Sequence, residues 1–273
     1  MLKVNALNKR FALKDAKQAK QNNISDSRIK GRYFYAVKNM TFSCEVGEIT
    51  GVLGANGAGK TSLLRLLSTA LQPDSGEIEF NQKLIETNLA DYRKQLGFLS
   101  GSTGLYEKLT GYENLMYFAN LYGLNKNEAE QRISLLSEAL NMSSFLPRRF
   151  GDYSTGMKQK LAIARAMIHQ PKLIILDEPT TGLDIKAREI ILEFIENIRQ
   201  QGVCVIFSTH DLAEVERLCS KVLVVEQGEL KFDGSLEQLK SVADTANLNQ
   251  ALFSFMQADN LNLAHLRSGE ANA

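Results

Sequence analysis

The chain has 273 residues, 44% of them hydrophobic, which is enough to bury a substantial core and near the upper end for one domain, so a compact domain carrying an inserted subdomain is expected. Thirty-two Lys and Arg against thirty-one Asp and Glu exclude an overall field that favours nucleic acid or an anionic membrane, and leave partner choice to local sites. The three cysteines, Cys44, Cys204 and Cys219, lack metal or redox spacing and fit a reducing cytosol, with Cys204 a small buried thiol in the strand-like VCVIFS. The start MLKVNALNKR has no apolar signal core, and runs such as LIIL and VLVV fall far short of the roughly 20 residues that span a bilayer. If the protein works at a membrane, other chains must cross it.

In chain order, residues 2–13 and 34–53 predict short strands, separated by the polar stretch KDAKQAKQNNISDSRIKG. That stretch is a loop or hairpin insertion; its Lys and Arg suit lipid headgroups, but a solvated loop is the commoner reading. A strand EITGVLG, a Gly-rich turn and a helix KTSLLRLLSTAL follow, the helix carrying apolar Leu63, Leu64, Leu66, Leu67 and Leu71. From about 105 to 165 the pattern is helical, through GYENLMYFANLYGL, NEAEQRISLLSEALNM and MKQKLAIARAMIH, and predicts a mostly helical insertion. The chain then alternates between strand 173–176, helix 185–201, strand 203–208, helix 211–219 and a hairpin over 222–232. Strands apolar throughout and joined by helices predict a parallel sheet covered on both faces, an α/β architecture. In the tail after Lys240, LNQALFSFM predicts a helix packing back on the domain, and the last dozen residues are expected to fray.

Two stretches carry phosphate chemistry. In GANGAGKT, Gly54, Gly59, Lys60 and Thr61 match G-x-x-x-x-G-K-[ST], and Gly57 makes the loop more permissive still. Glycines let the backbone of the loop, through Ala55, Asn56, Ala58 and on to Ser62, turn N–H groups around phosphate oxygens. Lys60 reaches the β- and γ-phosphates, and Thr61 supplies a hydroxyl to Mg²⁺ at a helix N-terminus. YSTGMKQK presents Ser154, Thr155 and Gly156 ahead of an apolar run, a second helix start suited to an anion, though an ordinary Ser N-cap has the same pattern.

LIILDEPTTGLD supplies carboxylates. A buried strand ending in Asp177 puts one beside the phosphate loop, able to hold Mg²⁺ through water, and the adjacent Glu178 is placed to act on an attacking water as general base. Acidic residues at strand ends are often only exposed caps; the two consecutive carboxylates and the proline after them weigh against that. His210 in VIFSTHD follows another buried strand and is a candidate γ-phosphate donor, although a lone histidine is usually structural.

GANGAGKT, YSTGMKQK, LIILDEP, TTGLD and STHD, in that order and spacing over about residues 1–240, resemble the nucleotide-binding domain of ATP-binding cassette (ABC) transporters. The resemblance implies a P-loop NTPase core with a mainly parallel sheet, an N-terminal antiparallel β-subdomain and an inserted α-helical subdomain at about 88–165, with 241–273 a partly helical tail. It also implies a head-to-tail dimer with a second copy or a homologous subunit, in which Tyr153, Ser154, Thr155, Gly156 and Met157 face the ATP held by the partner. Asp184 matches the loop aspartate between protomers, and Phe11 sits where an aromatic stacks on adenine. Tyr33 and Tyr35 are alternatives to Phe11, and core packing is an equal reading of all three.

The family usually carries a glutamine where this chain has Gly101, so a Mg²⁺ contact there falls to Ser102, Thr103 or water. The segment SGSTGLYEKLT resembles exporter subunits of the sodium-extruding type, and YSTG stands for the commoner LSGG. The resemblance thus implies a cytoplasmic, Mg²⁺-dependent ATPase, peripheral on the membrane through permease subunits and serving export. The rival reading is a soluble ATP-gated clamp on ribosomes or nucleic acid; such relatives commonly carry two cassettes or long coiled coils, and this chain has one cassette, no long heptads and near-neutral charge.

Overall fold

The computed structural model describes residues 1–13, 26–101 and 104–257. Its elements in chain order are β1 (Leu2–Ala12), β2 (Ile29–Lys30), β3 (Tyr33–Cys44), β4 (Ile49–Leu53), α1 (Lys60–Leu67), β5 (Ser75–Phe80), β6 (Lys83–Leu84), α2 (Leu89–Lys94) and β7 (Leu96–Leu99). They continue with α3 (Gly111–Leu121), α4 (Lys126–Ala139), α5 (Thr155–Met167), β8 (Leu173–Asp177), α6 (Ile185–Gln200), β9 (Cys204–Ser208), α7 (Leu212–Leu218), β10 (Lys221–Glu226), β11 (Glu229–Gly234), α8 (Leu236–Val242) and α9 (Leu248–Gln257). Most of the 14–31 insertion lies outside the described residues, as do the last dozen residues; the insertion's end forms β2, which pairs antiparallel with β3. Contacts divide the chain into two units, one of Met1–Leu2, Cys44–Ile49 and Glu79–Thr209, the other of Lys3–Ser43, Thr50–Ile78 and the described residues from His210 on.

The first unit is built on parallel strands. β8 pairs with β9 from Leu173↔Cys204 to Asp177↔Ser208, and with β7 from Leu96↔Leu173 to Leu99↔Leu176. Leu173, Ile174, Ile175 and Leu176 are fully buried, which an apolar run requires when both faces are covered, and each contributes roughly 1.5–3 kcal/mol by leaving water. α5 packs on β7 and α6, and α3 packs on α4 and α5. α3 and α4 each open with a capping box, Thr110 with Glu113 and Asn125 with Glu128, which satisfies two otherwise orphan donors apiece. Strand β7 precedes the stretch from about 105 to 165 whose pattern is helical, and pairs with β8. Cys204 is buried, and burial pushes its thiol up to about 12, the small buried thiol its strand context suggested.

In the second unit β2, β3, β1 and β5 lie side by side in that order, and β10 pairs parallel with β4 and antiparallel with β11. Helix α1 is four residues shorter than its sequence suggests, ending at Leu67 rather than Leu71, because Thr69 takes a left-handed φ of 62°. Ser68 N–H then closes on Leu64 O, and Leu71 N–H on Arg65 O, so the last carbonyls are satisfied without another helical turn. Strand β5 has no counterpart among the sequence expectations. Helix α9 buries Leu248, Ala251, Leu252 and Phe255, spaced i, i+3, i+4, i+7, against Leu53, Val222 and Val224. Among the described residues no helix is long and apolar enough to cross a membrane.

Candidate nucleotide site

The phosphate loop belongs to the second unit. β4 is buried at all five positions and delivers the chain to Gly54, whose φ of 151° is open only to glycine. A Cβ at Gly54 would lie 2.1 Å from Val225 O, and one at Gly59 2.4 Å from Ala36 O. The loop is therefore pressed against backbone on its outer side. There Gly228 N–H donates to Ala58 O at 2.8 Å, and the Arg28 guanidinium donates to Gly57 O. Fixing Ala58 O outward turns the N–H on the far edge of the same peptide plane, that of Gly59, the other way. Helix α1 starts at Lys60 with no side-chain cap at Gly59 and no acidic residue in its first turn, so its positive end suits an anion. The buried Lys60 side chain lies along the loop, donating from Nζ to Gly54 O at 2.8 Å and Ala55 O at 3.1 Å. Those carbonyl bonds are ones a phosphate oxygen can replace.

In the same unit Phe11 is 40% exposed with Lys9 Nζ 5.7 Å from its ring centre, so core packing does not explain it. Tyr33 and Tyr35 are half-buried, Tyr33 beneath the Arg10 guanidinium at 4.3 Å. His210 is exposed, one residue before Asp211, the N-cap of α7.

The carboxylates and the second helix start belong to the first unit. β8 ends on Asp177, whose Oδ1 accepts from Ser208 Oγ at 2.6 Å, the residue opposite it in register on β9. Glu178 N–H donates to the same Oγ at 3.1 Å, so one buried hydroxyl ties the two acidic residues together. Glu178 takes a φ of 50°, uncommon for a side chain of this size, and its Oε2 accepts from Thr181 Oγ1 at 3.0 Å.

Ser154 caps α5, accepting from Met157 N–H at 3.3 Å, and Asp184 caps α6, accepting from Ala187 N–H at 2.8 Å. Ser154 and Thr155 are exposed while Gly156 is buried, with its notional Cβ 3.0 Å from Ala187 Cβ and 3.9 Å from Asp184 Oδ2. The first turns of α5 and α6 are thus packed together, bringing Ser154, Thr155, Gly156 and Asp184 into one neighbourhood. Burial lowers the Lys160 ammonium below its usual range, and the Asp184 carboxylate opposes that shift.

Tyr153 departs from the sequence expectation that it faces a partner's nucleotide. Its side chain is buried between Phe145 and Phe150, its hydroxyl donates to Phe145 O at 2.8 Å, and burial pushes the phenol up to about 12. It anchors the motif from below. Met157 is half-buried, Gly101 is exposed with nothing within 4 Å of a notional Cβ, and Ser102 and Thr103 lie outside the described residues. Sequence reasoning missed Ser208, Thr181 and Arg28; Ser208 and Thr181 sit inside recognised motifs, whereas Arg28 has no motif to mark it.

A family model described as ABC transporter matches residues 37–181. The ABC transporter ATP-binding protein NatA of Bacillus subtilis (strain 168) is 41% identical over 226 residues, covering 82% of this chain and 92% of that protein. The Nod factor export ATP-binding protein I of Burkholderia orbicola (strain AU 1054) is 34% identical over 199 residues, covering 73% of this chain and 66% of that protein. A solved ATP-binding subunit of an ABC transporter aligns with a TM-score of 0.79 at 28% identity, over 93% of this chain and 99% of the other. The chain belongs to the ABC transporter family. It is an ATP-binding, ATP-hydrolysing transporter subunit with the α/β P-loop fold.

Proposed function

We propose that this chain hydrolyses ATP as half of a nucleotide-sandwich pair, with a second copy or a homologous subunit, and so drives export through separate permease subunits on whose cytoplasmic face it sits. The observation that carries the pairing is the exposed, capped start of α5. Ser154 and Thr155 face solvent while Gly156 and Tyr153 fasten the turn from behind, so the positive end of α5 and its exposed hydroxyls suit a second molecule's γ-phosphate. Asp184, capping the neighbouring α6, lines the same face. Export rather than import is supported by the name of the Burkholderia relative, and transporter relatives favour this reading over a soluble clamp.

The residues divide the work by chemistry. N–H groups of Gly54–Ser62 cradle the phosphates of ATP, and Lys60 exchanges its two carbonyl acceptors for phosphate oxygens. Phe11, exposed and flat, stacks on adenine. The oxygen donors Asp177 and Thr61 suit Mg²⁺, a hard cation usually held by one or two carboxylates together with substrate phosphates. When bound, Mg²⁺ offsets charge on the phosphate oxygens. Glu178 takes a proton from water as the water oxygen bonds to the γ-phosphorus and the bond to the bridging oxygen of ADP breaks. His210 donates to the γ-phosphate. The test is light scattering of Glu178→Gln: ATP with Mg²⁺ is expected to convert monomers to dimers, ADP is not, and monomers throughout would overturn the pairing.

A further inference from the structure

The phosphate loop is held from outside by residues that precede the family's matched segment. Arg28 lies near the end of the polar insertion, nine residues before the match at 37–181 begins, and its guanidinium donates to Gly57 O. Asp26 grips the same guanidinium in a two-pronged pair, accepting from Nη2 at 2.6 Å and from Nε at 2.9 Å, and also accepts the Arg28 backbone N–H at 3.0 Å. The planar group lies 4.6 Å from the ring centre of Phe34. The segment is itself fastened: Tyr35 N–H donates to Arg28 O at 3.0 Å, and Ser27 Oγ donates to Gln227 Oε1 in the β10–β11 turn. The Asp26 carboxylate raises the arginine's pKa further above its already high value, so the guanidinium stays charged.

Gly57 is where such a hold has an effect. Its φ of 80° is glycine's territory, and nothing lies within 4 Å of a notional Cβ, so side-chain packing does not fix this peptide. A charged donor on its carbonyl does. The next peptide is held in the same way, with Ala58 O taken by Gly228 N–H, and Ala58 N–H closes on Ala55 O at 3.1 Å. Two consecutive carbonyls are thus tied outward in a loop whose task is to turn N–H groups inward.

We propose that Arg28, held by Asp26, is a positioning residue for the phosphate loop. It pre-organises Gly57 and Ala58 for nucleotide, so that the loop's ordering cost is met before ATP arrives. Its charge is neutralised by Asp26, so it acts through the peptide and not as a phosphate ligand. The inference rests on the reading of residues 54–61 as the ATP phosphate site.

The test uses the full chain. Arg28→Ala is expected to weaken ATP and ADP about equally, by roughly tenfold, the scale of one lost charged hydrogen bond, because both nucleotides share the β-phosphate. The ATPase should show this as a raised KM with a smaller change in kcat. Arg28→Gln, which retains a side chain to lie on Phe34, should give the same loss in a form that melts like wild type without nucleotide. ATP affinity within twofold of wild type in a folded Arg28→Gln would overturn the proposal, and so would a selective loss of ATP over ADP. Lys60→Ala is the control: if it too binds ATP like wild type, the assignment of the loop as the phosphate site fails, whatever Arg28 does.

Discussion

Ser208 and Asp177 face each other in register on β9 and β8, and the Ser208 hydroxyl donates to Asp177 Oδ1 at 2.6 Å while accepting the N–H of Glu178. A fully buried hydroxyl thereby sets the direction of one acidic side chain and the backbone of the next. Ser208→Ala should lower kcat roughly 10–10²-fold, because a small misplacement of the reacting groups is costly. Leaving buried polar groups short of a partner should also cost about 1–3 kcal/mol, measurable by urea unfolding. Unchanged turnover would show that the two carboxylates need no such alignment.

Glu178→Gln removes the proposed base but keeps an acceptor for Thr181. ATP affinity should hold while turnover falls by about 10²–10⁴, the usual range for acid–base catalysis. Single-turnover phosphate release measures this directly, and near-normal hydrolysis would remove Glu178 from the mechanism.

The glycines separate two kinds of constraint. At Gly54 an added Cβ meets a backbone carbonyl at 2.1 Å in a conformation other residues avoid, so Gly54→Ala should destabilise the fold by roughly 2–4 kcal/mol and lose nucleotide. At Gly101 a side chain has open space, so Gly101→Gln should change stability by no more than about 0.5 kcal/mol and ATP affinity by a few-fold at most. If this segment links nucleotide to the membrane subunits, Gly101→Gln alters their stimulation of the ATPase in reconstituted vesicles. An unchanged response counts against the link.

His169 predicts an acid limb of stability. Its ring stacks on Tyr122 at 3.7 Å with Nε2 3.0 Å from Leu96 O, and burial pushes its pKa down to about 4, with nearby Arg132 and Arg165 adding to the effect. Below its unfolded pKa near 6.5 the unfolded chain takes up the proton that the folded chain refuses. Stability from this group is therefore full above pH 6.5, falls as the pH drops toward 4, and levels below that, by roughly 3 kcal/mol in all. Urea unfolding of wild type and His169→Phe between pH 7 and 4 checks it: the variant should have the shallower slope.

The parts of this molecule legible in sequence are those whose signal is contiguous. LIIL announces a strand buried on both faces, and GANGAGKT carries its own conformational requirements in its glycines. KTSLLRLLSTAL is helix-forming to its end, and the left-handed turn at Thr69 that stops helix α1 has no sequence signal. β5 has a weak signal because SGEIEF buries just two side chains, Ile78 and Phe80. Tyr153 adjoins the motif in sequence, but its burial comes from Phe145 and Phe150. Arg28 and Gly57 are 29 residues apart, and no periodicity or spacing links them.

If Ser154 and Gly156 serve the partner's ATP, each site needs one residue set from each chain. The most direct measurement is ATP-dependent association of two double variants, Lys60→Ala with Glu178→Gln and Ser154→Arg with Glu178→Gln, alone and in equal mixture. Each parent pair lacks both composite sites. A mixed pair joins the intact Lys60 of one chain to the intact Ser154 of the other and recovers one site. The mixture should form dimers at ATP concentrations where neither parent does. Mixed dimers no tighter than either parent would contradict it.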